Sequence, residues 1–382
     1  MMSRRKLRIL SVASIIDPTG RYGGMPIVAY YQAKHLSKLG HEVLFLTAHS
    51  RRVLKIQEIR EPAAPALLAR HGLILSPTAY ANLILKSRTI NDYYDIIHMH
   101  DARDLLSVSL LLSREKTPSW NVPIIIQPHG SLFFGGKLTI LKKIYDAAFL
   151  SRLVAGVDFW IASTYDEVLS ILRLGVGREN IATIPNGVDE EAILGCSSST
   201  KLHMSSRGII LYLGRIHASK RIEILIKAMR HVVNINRDAT LLIAGQDEGE
   251  WHRLTRLVRR LSLEENVKYM GFVSEEMKYK LMKTAKAVVI PKFHCTALTV
   301  LEALALNRPL ITTYESDRLE ENLEKLITRV GNSPEEVAAA IEKMLKSEVD
   351  KNGIREYILE VYSWRSIAER LENLYFKLLN GG

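Results

Sequence analysis

Short apolar runs alternate along this chain with stretches whose apolar positions recur at helical spacing. Residues 7–14, 42–48, 96–100, 123–127, 159–162 and 181–185 are rich in Ile, Val, Leu and Phe, and turn-forming or polar residues separate them. Runs this short and this apolar predict strands of a parallel sheet covered on both faces. Between them, 26–39 and 165–174 are amphipathic, the first opening on Pro26, where a helix start tolerates proline. Strand–helix repetition of this kind predicts an α/β fold.

The pattern breaks at 196–207, a polar stretch of small residues, and resumes at Gly208, with strands predicted over 208–213, 240–244, 267–271, 287–290 and 309–313. The chain is therefore expected to form a first Rossmann-like domain over 1–190, a linker over 191–207 and a second doubly wound domain over 208–360. A closing helix over 361–382, capped by Ser363, is expected to cross back to the first domain. A length of 382 residues agrees with two cores rather than one.

A formal net charge of +11 favours an anionic partner. The cations are spread over both halves without a dense basic tail, so nucleic acid is not expected among the partners. Cys196 and Cys295 lack metal-ligand spacing, which points to a reducing compartment and to no metal site. The basic amino terminus reads as the lead into a first strand rather than a signal peptide, because Arg8 interrupts the apolar stretch. No run approaches the ~20 apolar residues of a membrane span. A cytoplasmic protein is expected, with attachment at the inner membrane face as the alternative.

Chemistry enters at strand ends. Arg215 and Lys220 follow the apolar run that ends at Gly214, where a strand hands over to a helix and anions are bound in parallel α/β sheets. Gly23 and Gly24 give a loop without side chains after the first strand, and Asn186-Gly187 marks a sharp turn. Residues 288–305 read as strand, loop and a helix beginning near Leu298, with Glu302 about one turn in. Each feature alone fits an ordinary turn or a solvated helix start.

Taken in order, Gly23-Gly24, 40–43, 95–98, His129-Gly130, 184–189, Gly214-Arg215 with Lys220, Ala244-Gly245, Gly271, Glu302-Ala303, Ser363-Trp364 and Tyr375 form a longer pattern. With them the chain resembles, over nearly its whole length, the retaining nucleotide-sugar glycosyltransferases of the GT-B fold, glycosyltransferase family four. The resemblance implies two Rossmann-like domains facing across a cleft. It also implies hexosyl transfer with retention, from a nucleotide-diphosphate sugar on the second domain to a glycan or lipid-linked acceptor on the first, with neither cofactor nor metal. Arg215 and Lys220 would hold the diphosphate, Glu302 the ribose hydroxyls, and Phe272 and Val273 the edge of the base. Leu298 and Thr299 would complete the donor side, with Gly23 and Gly24 facing the phosphates and sugar. His129 would lie beside the reacting sugar in a positioning or stabilising role. The leaving diphosphate would take the acceptor proton, so no protein nucleophile is needed, unlike retaining hydrolases with two close carboxylates.

The chain also departs from that family. His294 stands where a second glutamate usually contacts the transferred sugar, so an unusual donor is expected. Cys295-Thr296-Ala297 and Arg221 stand where glycine is usual, and 314–322 replaces a glycine-rich loop. His98 and His100 read as completing the sheet, and a histidine bonded to backbone at a strand end is the alternative for His129. Residues 131–150 read as a domain helix with its apolar face inward, contact with an anionic membrane being the alternative. Other functions that fit the same pattern are a non-catalytic sugar-nucleotide or glycan-binding protein and a GT-B epimerase or phosphorylase.

Overall fold

The computed structural model describes residues 5–17, 23–47, 49–50, 90–132, 139–195, 208–346 and 353–381. Expected features on 18–20, 48, 133–138 and 196–207, including Cys196 and most of the expected linker, lie outside the described residues.

In the first unit, β1 (Arg8–Val12), β2 (Ile15–Ile16), β3 (Glu42–Leu46), β4 (His49–Ser50), β5 (Ile96–His100), β6 (Ile124–Gln127), β7 (Phe159–Ala162) and β8 (Ile181–Thr183) follow in chain order. Six of them form a parallel sheet in the order β3-β1-β5-β6-β7-β8, and β2 pairs with β4 separately. β5, β6 and β7 are buried at every residue, as strands covered on both faces must be. The strand order reverses between β1 and β5, and a crevice for ligands opens beyond the carboxyl ends of strands at such a point.

The second unit repeats the scheme with β9 (Ile209–Leu213), β10 (Thr240–Ala244), β11 (Val267–Tyr269), β12 (Ala287–Val289), β13 (Leu310–Thr313) and β14 (Thr328–Val330). Its order, β11-β10-β9-β12-β13-β14, reverses between β9 and β12. β14 lies outside the sequence expectation, because Thr328-Arg329-Val330 is half-buried and carries no apolar run. The architecture is α/β, two doubly wound parallel sheets.

The chain divides into Met1–Pro185 with Trp364–Gly382, and Asn186–Ser363. The division falls ahead of the expected linker for local reasons. Asn186 Nδ2 donates to the Thr296 carbonyl at 2.6 Å, Val188 N donates to the Tyr362 carbonyl at 2.8 Å, and the helix Glu190–Gly195 buries Ile193 in the second unit's core. The helix Trp364–Leu379 buries Trp364, Ile367, Ala368, Leu371 and Tyr375 at helical spacing within the first unit. Trp364 stacks on Tyr31 with centroids 5.5 Å apart, and Tyr375 Oη meets His98 Nδ1 at 2.8 Å.

The helix Thr139–Gly156 packs Leu150, Leu153 and Val154 on the first core, while Asp146 accepts two bonds from Arg103 at 2.8 and 2.7 Å. Its later half thus faces inward as expected, although Ile144 is 61% exposed. Among the described residues no helix is long and apolar enough to cross a membrane.

Candidate functional site

The exit of β9 is built by close backbone approach. A Cβ on Gly245 would come within 1.9 Å of the Gly214 carbonyl oxygen, so only glycine lets the ends of β9 and β10 meet here. Arg215 follows, half-exposed, its Nη1 donating to Glu248 Oε1 at 2.9 Å and Oε2 at 3.2 Å. Lys220 ends the 3₁₀ turn Ala218–Lys220, whose start is capped by His217 Nδ1 accepting from Ser219 N at 3.2 Å. Its ammonium has no hydrogen bond or ion pair among the described residues. Burial lowers its pKa, and neighbouring Arg215 lowers it further, partly opposed by Cys295, Asp317 and Glu248. A partly desolvated cation beside a second cation at a strand-order reversal is an environment that an anion would relieve.

The four departures prove to be one connected arrangement. Arg221 and Cys295, at positions where glycine is usual, both sit in the left-handed region, with φ of 58° and 54°. That conformation explains the usual glycine, since a Cβ there costs roughly 1–2 kcal/mol. Each is held by the loop 314–322. Glu315 accepts from Arg221 Nε at 3.0 Å and Nη2 at 3.2 Å, with Lys292 Nζ at 3.3 Å. Buried Asp317 accepts from Cys295 N at 2.8 Å through Oδ2 and meets His294 Nδ1 at 3.0 Å through Oδ1. The loop is in turn fixed by Arg329, which donates to the carbonyls of Thr313, Ser316 and Asp317 at 3.0, 2.9 and 3.0 Å. Carboxylates here do the holding for which a glycine-rich loop would offer only backbone.

Glu302 lies one turn into the helix Leu298–Ala305, as expected, but it is not an unengaged acceptor. Lys278 Nζ donates to its Oε1 at 2.7 Å and to Glu275 Oε2 at 2.6 Å, and Tyr279 Oη donates to the same Oε1 at 3.4 Å. Leu298 and Thr299 open that helix, both half-buried. Phe272 is 48% exposed after Gly271, whose φ of 68° turns the chain beyond β11, and Val273 packs partly on the second core.

The remaining expected residues belong to the first unit. Gly23 has φ 98°, which favours glycine, and Gly24 begins the helix Gly24–Lys38 with open space around its Cα. His129 follows β6 in the left-handed region, φ 53°, held by a neighbouring bond in which Gly130 N donates to buried Glu167 at 2.7 Å. Among the described residues its ring bonds no backbone group. Its Nε2 meets His100 Nδ1 at 3.0 Å, while His100 Nε2 meets Ser11 Oγ at 3.2 Å. His98 and His100 stack at 4.4 Å and His100 and His129 at 5.2 Å between centroids. His98 and His100 therefore do more than complete the sheet. Burial pushes His98 and His129 down to about 3, His129 also feeling His98, and drives His100 well below the ordinary histidine value. All three are neutral at pH 7. His129 Nδ1 is buried without a hydrogen-bond partner among the described residues, a cost of roughly 1–3 kcal/mol.

Sequence reading passed over Glu248, Lys278, Asp317 and Glu167. The last had a local signal, since Thr164 and Glu167 have the spacing of a capping box. Thr164 Oγ1 does accept from Glu167 N at 3.2 Å, while the Glu167 carboxylate reaches Ser163 N and Gly130 N at 2.7 Å each.

Two doubly wound units, a cationic exit from β9 and a histidine-bearing exit from β6 are the parts of a GT-B glycosyltransferase. Residues 22–192 match the family described as Glycosyltransferase Family 4, and residues 207–347 match Glycosyl transferases group 1. The chain belongs to these group 1, family-four-type glycosyltransferases. It is 22% identical over 391 aligned residues to a phosphatidylinositol N-acetylglucosaminyltransferase component of Arabidopsis thaliana, covering 98% of this chain and 83% of the relative. A glycosyltransferase structure from Rickettsia africae matches with TM-score 0.74 over 99% of both chains at 19% identity. HepE from Anabaena, in complex with UDP-glucose, matches with TM-score 0.67 over 96% of this chain and 99% of its own at 15% identity. At these identities the two structures establish shared fold.

Proposed function

We propose that this glycosyltransferase moves a hexosyl group from a nucleoside-diphosphate sugar to a glycan or lipid-linked acceptor, with retention and without a metal ion. The observation that carries the reading is Lys220, a partly desolvated ammonium with no anionic partner among the described residues, beside Arg215 at the strand-order reversal. A diphosphate supplies the missing anion. Lys220 meets it as a point charge, and Arg215 meets it by giving up Glu248. The pair would supply the charge neutralisation that a metal gives elsewhere. HepE holding UDP-glucose and the Arabidopsis relative, named for phosphatidylinositol, support the donor and lipid-acceptor classes.

In this reading Glu302 takes the ribose hydroxyls, Phe272 and Val273 border the base, and Leu298 and Thr299 flank the donor. Gly23 and Gly24 offer backbone amides to phosphate and sugar. His129 acts as a neutral imidazole beside the reacting sugar. The bond from the anomeric carbon to the diphosphate breaks, the acceptor oxygen bonds the same face, and its proton passes to the departing diphosphate. Water, cofactor and protein nucleophile take no part.

A thermal-shift screen of nucleoside diphosphates and their sugars tests the donor site, with Lys220→Ala as the control. Stabilisation by at least one diphosphate, lost in the variant, is expected, and no stabilisation by any would overturn the reading. With the donor known, the anomeric configuration of the product and turnover in chelator test retention and metal independence. Binding without turnover over a broad acceptor panel would favour a non-catalytic binding protein.

A further inference from the structure

To read ribose, Glu302 needs one carboxylate oxygen turned outward from a nearly enclosed place. Its side chain is only 9% exposed and that of Lys278 only 11%. Lys278, from the helix Glu275–Thr284, meets Oε1 at 2.7 Å and leaves Oε2 without a hydrogen bond among the described residues. The lysine is itself held from two further sides. Glu275 accepts at 2.6 Å, and the Tyr279 ring lies 4.5 Å from its ammonium. Burial opposes charge on Lys278, yet the attraction of Glu302 and Glu275 outweighs it.

We infer that Lys278 is a positioning residue that makes Glu302 a reader of ribose. It occupies Oε1, fixes the carboxylate's rotation, and directs Oε2 toward the hydroxyl pair of the nucleotide sugar. The inference rests on the proposed donor site and adds to it a residue that touches no part of the donor. A carboxylate so fixed rejects a deoxyribose, because its outward oxygen then loses a donor and stays dry. A freely rotating one discriminates poorly.

The experiment is a titration of the full-length protein with UDP, GDP and ADP, each against its 2′-deoxy form. The unaltered protein is expected to prefer at least one ribose form by about tenfold or more. Glu302→Ala and Lys278→Met are each expected to bring that ratio near one, while affinity for inorganic pyrophosphate stays within about twofold. Lys278→Arg keeps the cation but shifts its donor atoms, and its ratio should fall by at least about threefold. It carries the test where Lys278→Met fails to fold. A merely structural lysine would lower the melting temperature and leave the ratio alone. A wild-type ratio in either soluble Lys278 variant, with the ratio lost in Glu302→Ala, overturns the inference and spares the donor site. Equal binding of ribose and deoxyribose forms by the unaltered protein overturns both.

Discussion

The candidate residues of the first unit are kept without charge, and those of the second are kept in charge pairs. Around β5 and β6, His98, His100 and His129 stack out of water as neutral rings, bonded to Tyr375, Ser11 and one another. Around β9, β12 and β13, Arg215, Arg221 and Lys278 each face a carboxylate. The difference follows from what each would meet. A diphosphate needs cations that can exchange one anion for another, whereas a sugar hydroxyl needs a donor or acceptor that does not attract water. Lys220 is the exception in the second unit, without an ion pair among the described residues, and the proposed diphosphate is assigned to it for that reason.

The sharpest separation is expected in acid. With pKa values near 3 in the folded protein against 6.5 otherwise, His98 and His129 are protonated by the unfolded chain but not by the folded one between those values. Stability contributed by the neutral stack is therefore lost as pH falls from 6.5 toward 3, roughly several kcal/mol in total. Asp104, raised from 3.8 to about 6 chiefly by burial, acts in the opposite sense over its own window and offsets part of this. In the second unit, Glu315 is lowered below 4.5, first by its bonds to Arg221, so its contribution persists until pH falls past that value. Hydrogen exchange between pH 6.5 and 4.5 should show protection falling over β5 and β6 and staying nearly constant over β9 and β12. Equal loss in both would erase the distinction.

Next in size is the split between binding and turnover. Lys220→Ala should weaken nucleoside-diphosphate binding by roughly 1.5–3 kcal/mol, about tenfold to more than a hundredfold, read by calorimetry. His129→Ala should leave that affinity within about twofold and lower turnover. Binding to the unaltered protein should also weaken as pH rises through the lowered Lys220 pKa, a slope absent from Lys220→Ala. A smaller effect is expected at Glu248. Glu248→Gln frees Arg215 from its competing carboxylate and should tighten diphosphate binding by up to about tenfold.

The smallest effect concerns backbone strain. Arg221→Gly relieves φ 58° but forfeits the pair with Glu315, so its stability should stay within about 1 kcal/mol of the original. Arg221→Ala loses the pair and keeps the strain, and should melt lower than the glycine variant by an amount worth about 1 kcal/mol. Equal melting points of the two variants would show that backbone strain contributes nothing at this corner.

The sheets were legible because parallel strands covered on both faces must be apolar throughout, and Ile96–His100 or Ile209–Leu213 carry that mark. β14 was not, since an edge strand reading Thr-Arg-Val needs no such pattern. Arg215, Lys220, Glu302 and His129 could be singled out by position relative to strand ends. Their holders could not. Asp317, Glu248 and Lys278 lie 23, 33 and 24 residues away in sequence from the groups they bond, and nothing local marks a carboxylate that will be buried against one particular histidine. The departures at Arg221, Cys295 and 314–322 read as separate losses along the sequence. Folding joins them through Glu315 and Asp317.

The helix Trp364–Leu379 matters to one unit more than to the other. The second unit, Asn186–Ser363, is one continuous piece of chain, whereas the first takes in residues from both sides of it. His98 obtains Tyr375 and His41 obtains Glu372 from that last helix. Without that helix the second unit keeps every residue of its core, while His98 and His41 lose these two partners. A variant truncated after Ser363 should keep a protease-resistant second unit and have a first unit that is readily cut.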